Sequence, residues 1–370
     1  MRCDLLDYEL PEDRIARRPA DARDAARLLV VPGPGDPEGE ASRQRSEPSA
    51  GFEHRHVFDL PELLPSGALL IANDTRVVPA RLLGKKADTG GAVELLLVRP
   101  RAGEGARFYA MGRASKGLRQ GTVVTFGDGA LTARIEGREE GGGLFEVTLE
   151  ARDGAVQAAI ERVGHMPLPP YMRRADDDVD RERYQTVFAR VPGAIAAPTA
   201  GLHLTKELIE RLAARGIEAA FVTLHVGLGT FQPVTVEDLD QHPMHSEAFV
   251  IPEATRDAIA RARQRGAPIV AVGTTVVRAL ESAADPARLG HVCATAGETR
   301  LLIQPGYAFR VVDRLLTNFH LPRSTLLALV YAFAGTERVR RAYALAIAEG
   351  YRFYSYGDAM LLRRETEVIA

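Results

Sequence analysis

Polar residues able to move protons or hold anions gather at four points of this 370-residue chain. The first is Asn73-Asp-Thr-Arg76, directly after an apolar run at 68–72. The second, at 223–231, reads Thr-Leu-His-Val-Gly-Leu-Gly-Thr-Phe and brings in His225. The third is Gly273-Thr274-Thr275, followed at helical spacing by Arg278 and Glu281, and the fourth is Thr317-Asn318-Phe319-His320-Leu-Pro322. Each stands where a strand gives way to a loop or helix, the position at which an α/β sheet presents its chemistry. A helix beginning at Gly273 and Thr274 offers backbone N–H groups to an anion or carboxylate. Gly227-x-Gly229 is only half a dinucleotide fingerprint, because Gln232 fills the third glycine position. His54-x-His56 and His242-x-x-His245 have chelating spacings, but no HExxH accompanies them and no metal is expected. Pro167-Leu-Pro-Pro170 fixes an extended backbone that would place Tyr171 in a cleft. Tyr351-Arg-Phe-Tyr354-Ser-Tyr356-Gly-Asp358 reads as an aromatic strand ending in an acid, suited to a purine-like ring and its N–H donors.

The elements that must position these groups are of two kinds. Between about 80 and 155, short runs with period-two alternation are separated by glycine turns such as Gly127-Asp-Gly129, which predicts a small all-β unit. On either side, strands and helices alternate. Strands are predicted at 28–32, 54–58, 68–72, 217–226 and 268–272, and helices at 206–215, 253–265, 323–334 and 336–349. Thr205 reads as an N-cap, with Gly216 and Gly266 as stops. This gives an α/β main domain (1–79 and 156–370) interrupted by a β-barrel domain at 80–155, with a mostly parallel main sheet. Residues 33–51 are rich in Gly, Pro, Ser and charge, and read as a mobile loop.

Composition narrows the partners. With 47 basic and 49 acidic side chains the formal charge is −2, so any RNA contact must come from a local patch. Residues 81–119 hold nine Lys or Arg against three acids, and Lys85, Lys86, Arg113 and Lys116 are the candidates for phosphate contact. Cys3 and Cys293 form no zinc or disulfide pattern, no signal core is present, and no run suits a bilayer. A cytoplasmic monomer is expected.

The motifs, taken in order, resemble the S-adenosylmethionine:tRNA ribosyltransferase-isomerases of queuosine biosynthesis. The stretches that carry the resemblance include 73–82, Gly164-His-Met-Pro-Leu-Pro-Pro-Tyr171, Tyr184-Gln-Thr-Val-Phe188, Ala197-Pro-Thr-Ala-Gly-Leu-His203, 223–231, Met244-His-Ser-Glu247, 271–275, 317–322 and 351–360. Leu204, Val276 and the strand at 299–303 depart from the family's usual residues.

The resemblance implies a barrel-like α/β main domain with an inserted β-barrel, and S-adenosylmethionine as a consumed co-substrate with no further cofactor. Its ribosyl unit would pass to 7-aminomethyl-7-deazaguanine in the anticodon of tRNA, giving epoxyqueuosine-tRNA, adenine and methionine. Such chemistry needs a base beside the sulfonium, an acid for adenine and a base for the amine. His203, His225, His245 and His320 are the candidates, as imidazoles tuned near neutrality. Arg278 and the 273–275 helix start suit the methionine carboxylate, and Glu247 or Asp358 suits the ammonium or the deazaguanine edge. Arg76 and Asn318 are placed toward the ribose, Asn73 is a further substrate-binding candidate, and Tyr171 and Tyr356 stand beside the rings.

Overall fold

Leu69, Leu70, Ile71 and Ala72 are all buried, as an uninterrupted apolar run predicts, and form the centre of a nine-stranded sheet. The computed structural model describes residues 1–33, 51–101, 105–139, 143–227, 234–293 and 296–365. The predicted mobile loop at 33–51 lies outside the described residues except for its two ends.

The main unit begins with β1 (Arg27–Val31), β2 (Glu53–His56), α1 (Leu60–Leu63), β3 (Leu69–Asn73) and β4 (Thr75–Val77). The insert follows as β5 (Arg81–Lys86), β6 (Ala92–Pro100), β7 (Arg107–Ala114), β8 (Val123–Phe126), β9 (Leu131–Arg138), β10 (Phe145–Ala151) and α2 (Val156–Val163). The chain then forms α3 (Asp178–Arg183), β11 (Val191–Ala194), α4 (Lys206–Ala214), β12 (Glu218–Leu224), β13 (Glu247–Val250), α5 (Glu253–Gln264), β14 (Ile269–Val272) and α6 (Thr274–Ser282). It ends with β15 (Ala296–Thr299), β16 (Arg314–Asn318), α7 (Thr325–Ala334), α8 (Thr336–Ala348) and β17 (Ala359–Arg363).

The main sheet runs β15-β13-β12-β3-β14-β16-β17-β1-β2, with β12, β3, β14 and β16 mutually parallel. This parallel core brings His225, Asn73, Gly273 and Asn318 to one edge, because each follows or closes a strand at its C-terminal end. The main domain is thus mixed α/β, a large sheet with helices packed against it, as expected. Outside the parallel core, the pairs β16–β17, β12–β13 and β1–β2 are antiparallel. Thr205 caps α4 as predicted, its hydroxyl accepting the Leu208 N–H at 3.0 Å, and Ser324 caps α7 in the same way.

The insert closes into a six-stranded antiparallel barrel, β10-β7-β6-β5-β8-β9. Alternate residues such as Leu82, Leu95, Val124, Ala133 and Val147 fill it. Ala159 and Ile160 of α2 join that core, so α2 packs with the barrel and the chain returns to the main unit at Gly164 rather than at 155. The segment 351–358, read as a strand, is a loop turned by Tyr354 at φ +74°, and the strand that follows is β17. No helix among the described residues is long and apolar enough to cross a membrane.

Candidate functional site

Among the described residues, cavities adjoin the C-terminal edge of the parallel strands. The sheet-end cleft, about 620 Å³ out to its mouth, is lined by Tyr171, Gly273, Thr274, Thr275, Asn318 and His320, among others. A second cavity of about 480 Å³ shares Leu326 with it and is lined by His242, His245, Glu247 and Arg278. The third is a larger cleft between barrel and sheet, about 1360 Å³ out to its mouth. Its walls include Arg81, Glu94 and Arg113 of the barrel, with the 167–170 segment opposite. Ile195, Ala196 and Gly227 line the interdomain cleft, and Ala197, Pro198 and Val226 line the sheet-end cleft, so a single layer of chain separates the two.

Asn318 sits in the sheet-end cleft at 2% exposure, and its environment fixes its amide. Nδ2 donates to the Tyr354 carbonyl at 3.1 Å and faces His203 Nε2 at 3.0 Å. A carbonyl only accepts, so the amide nitrogen must face it, and Nε2 of His203 is then the acceptor. Burial pushes His203 down to about 4, consistent with a neutral ring, and the ring also bonds the Arg23 backbone. Asn318 Oδ1 is left buried with no partner. Thr275 Oγ1, on the same cleft, is likewise buried and unpartnered. Orphaned buried polar atoms are costly, and two in one cleft mark a place for a polar ligand. Gly273, at φ +93°, turns the chain into α6 in a conformation that side-chain-bearing residues resist.

Arg278 and Glu247 occupy the second cavity as a buried ion pair, joined through Nη1. Nε of Arg278 donates to Leu301 O at 3.0 Å, and Glu247 Oε1 accepts the Gly227 N–H at 3.1 Å. Arg278 Nη2 is buried without a partner. The two residues chosen from the sequence for opposite ends of a zwitterion are therefore neighbours, with one guanidinium nitrogen unspent.

Several predicted site residues are committed elsewhere. Asn73 uses its side chain on β12, donating to Leu224 O at 2.8 Å and accepting the Leu224 and Thr75 N–H groups. Asp358 accepts the Arg27 and Arg352 N–H groups at 2.9 and 2.7 Å, which makes it a fastener of backbone. Burial raises its carboxyl above the usual range while those N–H groups oppose the shift. Tyr356 donates to Asp180 at 2.9 Å and lines a small separate cavity with His203. Arg76 is exposed on β4, which pairs with β11, and does not line these cavities.

Burial lowers three of the candidate histidines, His203, His225 and His320. Burial pushes His320 down to about 3, with Nε2 2.8 Å from Thr317 Oγ1. His225 is lowered by burial against the opposing charge of Asp74, and its Nδ1 lies 2.8 Å from Thr75 Oγ1. His245 is exposed at the second cavity. His54, of the chelating pair at 54–56, bonds Tyr351 instead at 2.8 Å. Tyr171 reaches the sheet-end cleft as predicted; its hydroxyl bonds Ser355 and burial pushes it up to about 12.

On the barrel, Lys86 Nζ donates to Gly117 O at 2.7 Å, which brings the strand carrying Lys85 against the turn carrying Lys116. Arg113 instead lines the interdomain cleft. The basic excess there is smaller than the local count suggests, because Glu139 and Glu146 pair with Arg99 and Arg101 from outside the counted stretch.

A family model described as queuosine biosynthesis protein matches residues 3–362. The chain belongs to this family. It is 60% identical to the S-adenosylmethionine:tRNA ribosyltransferase-isomerase of Sorangium cellulosum, across 98% of this chain and 99% of that protein. It is 55% identical to the enzyme of the same name from an Anaeromyxobacter strain, again across 98% and 99%. The crystal structure of S-adenosylmethionine tRNA ribosyltransferase from Thermotoga maritima matches with a TM-score of 0.51 at 35% identity, covering 96% of this chain and 99% of that one. Family membership accounts for the order of the motifs. Ser355, which lines the sheet-end cleft, was not singled out from the sequence, since a hydroxyl within an aromatic run gives no sign of facing a cleft.

Proposed function

We propose that this chain transfers and isomerises the ribosyl unit of S-adenosylmethionine onto 7-aminomethyl-7-deazaguanine at the wobble position of tRNA. The products are epoxyqueuosine-tRNA, adenine and methionine. Besides the family's names, one observation carries the reading. Three buried, unpartnered polar atoms, Asn318 Oδ1, Thr275 Oγ1 and Arg278 Nη2, lie along two adjoining cavities at the C-terminal ends of parallel strands. A zwitterionic methionine tail suits the Arg278–Glu247 pair, its carboxylate meeting Nη2. The ribose suits Asn318 Oδ1, which accepts a hydroxyl proton, with Thr275 beside it. Tyr171 and Tyr354 flank the same cleft with their rings 4.7 Å apart, which supports an aromatic neighbour for adenine. His203 acts through Asn318 by fixing its amide, so the acid–base work falls to histidines whose ring nitrogens face substrate. Lys85, Lys86 and Lys116 hold the tRNA backbone, and Arg113 meets it at the interdomain cleft.

Incubating the protein with S-adenosylmethionine and precursor tRNA, then separating the products, tests this reading. Adenine and methionine with an epoxide-bearing nucleoside are expected. S-adenosylhomocysteine in their place would make it a methyltransferase.

A further inference from the structure

One histidine outside the assigned set is held unlike the others. His165 lies where the chain returns from the barrel, and it exchanges backbone hydrogen bonds with Arg81 at 2.8 and 3.2 Å. Directly opposed residues of an antiparallel pair share a face. Arg81 and Pro167 line the interdomain cleft, and His165, opposite the first and two positions before the second, adjoins that lining at the cleft's rim without being part of it. Its Nδ1 is 2.9 Å from Asp176 Oδ1, and the other carboxylate oxygen accepts the Met166 N–H at 2.8 Å. The Asp176 side chain is 5% exposed and that of His165 is 40% exposed. A carboxylate accepts and does not donate, so Nδ1 carries a ring hydrogen, and in the neutral imidazole Nε2 is the nitrogen with the lone pair. His203 and His320 lack this combination of exposure, a fixed tautomer and a carboxylate behind the ring.

We infer that His165, oriented by Asp176, is the base that takes the proton from the acceptor's primary ammonium group as the interdomain cleft receives it. The inference rests on the proposed reaction. A primary alkyl ammonium resembles lysine, so at pH 7 only roughly one molecule in 2,500 is the neutral amine. In the step, one N–H bond of the ammonium breaks and its electron pair stays on nitrogen as the nucleophilic lone pair. Nε2 of His165 gains the proton and later releases it to solvent at the open rim. Deprotonation precedes nitrogen–carbon bond formation, so the base must reach the amine at its entry and not the donor's carbon. Pro167, Pro169 and Pro170 stiffen the wall leading from this rim to Tyr171 in the sheet-end cleft.

The charged groups around His165 come from its own loop, from two barrel strands and from α3. Asp176 lies on its own loop, and the Arg81–Glu94 pair faces it from β5 and β6. Arg181 of α3 bonds the Gly164 carbonyl at 2.6 Å.

His165→Asn retains an amide donor toward Asp176 but has no basic nitrogen, and its fold is checked by thermal denaturation. Single-turnover product formation from S-adenosylmethionine and precursor tRNA should fall about 100-fold or more at pH 7. The deficit should shrink as pH rises toward 10, where the amine loses its proton unaided, and added imidazole should restore part of the rate. Affinity for S-adenosylmethionine, measured by calorimetry, should stay within threefold. Turnover within threefold of the parent at pH 7, or a deficit that is constant with pH and indifferent to imidazole, overturns the assignment. If the parent protein itself releases no adenine, the proposed reaction has failed instead.

Discussion

Removing the charge of Arg278 separates stability from binding in a way the buried pair makes calculable. Arg278 and Glu247 are 7% and 6% exposed, and the carboxylate's other partner is the Gly227 N–H. Arg278→Met would leave that carboxylate buried with a single hydrogen bond, at a cost of about 3–5 kcal/mol. Adding Glu247→Gln removes the stranded charge while its amide oxygen still accepts from Gly227. The double variant should therefore recover to within about 2 kcal/mol of the parent in urea denaturation. Both variants lose Nη2, whose proposed contact with a substrate carboxylate would be a charged hydrogen bond worth about 1.5–3 kcal/mol. S-adenosylmethionine should bind roughly 10- to 150-fold more weakly to each by calorimetric titration. A decarboxylated analogue should bind the parent and the double variant alike. The reasoning is refuted if Arg278→Met is as stable as the parent, or if the double variant binds S-adenosylmethionine normally.

Acid should weaken the fold through the sealed histidines. The unfolded chain takes up a proton near pH 6.5, whereas folded His203 does so only near 4, so stability is complete above 6.5 and falls as pH drops toward 4. His203 alone contributes a loss of about 3 kcal/mol by pH 4, and His203→Gln should flatten that part of a urea-midpoint series between pH 7 and 4. Gly193→Ala should cost about 1–3 kcal/mol, read as a lower melting temperature, because a Cβ there would lie 2.8 Å from the His225 ring at a φ of +146°. An unchanged melting temperature would mean that His225 can swing away from Thr75 freely. Replacing Lys85, Lys86 and Lys116 by Gln should lower the salt slope of tRNA binding by about 2–3. An unaltered slope would move the RNA to another face.

Much of the scaffold was legible because local patterns carry it. The apolar runs gave β3 and β14, Thr205 and Gly216 bounded α4, and glycine turns separated the barrel strands. Runs of that kind are decided by backbone propensity and burial, which neighbouring residues share. Strands β13 and β15, by contrast, are short outer strands in which half or more of the residues are exposed, so little apolar patterning marks them. The aromatic run at 351–358 alternates like a strand, but its turn depends on Tyr354 taking a positive φ, which no residue type announces.

By itself the sequence determined an α/β protein with a β-barrel insert, a set of polar strand ends, and a family whose motifs stand in order. Tertiary structure decided which of those polar groups are available. Asn73 and Asp358 look like ligand residues in one dimension, yet the backbone N–H and carbonyl groups that claim them come from segments 151 and 331 positions away. Arg278 and Glu247 are 31 residues apart and could be known as partners only once β13 and α6 had packed together. Whether a polar atom is spent or free depends on neighbours brought in by folding. Asn318 Oδ1, Thr275 Oγ1 and Nε2 of His165 were therefore invisible until the sheet and the barrel had closed around them.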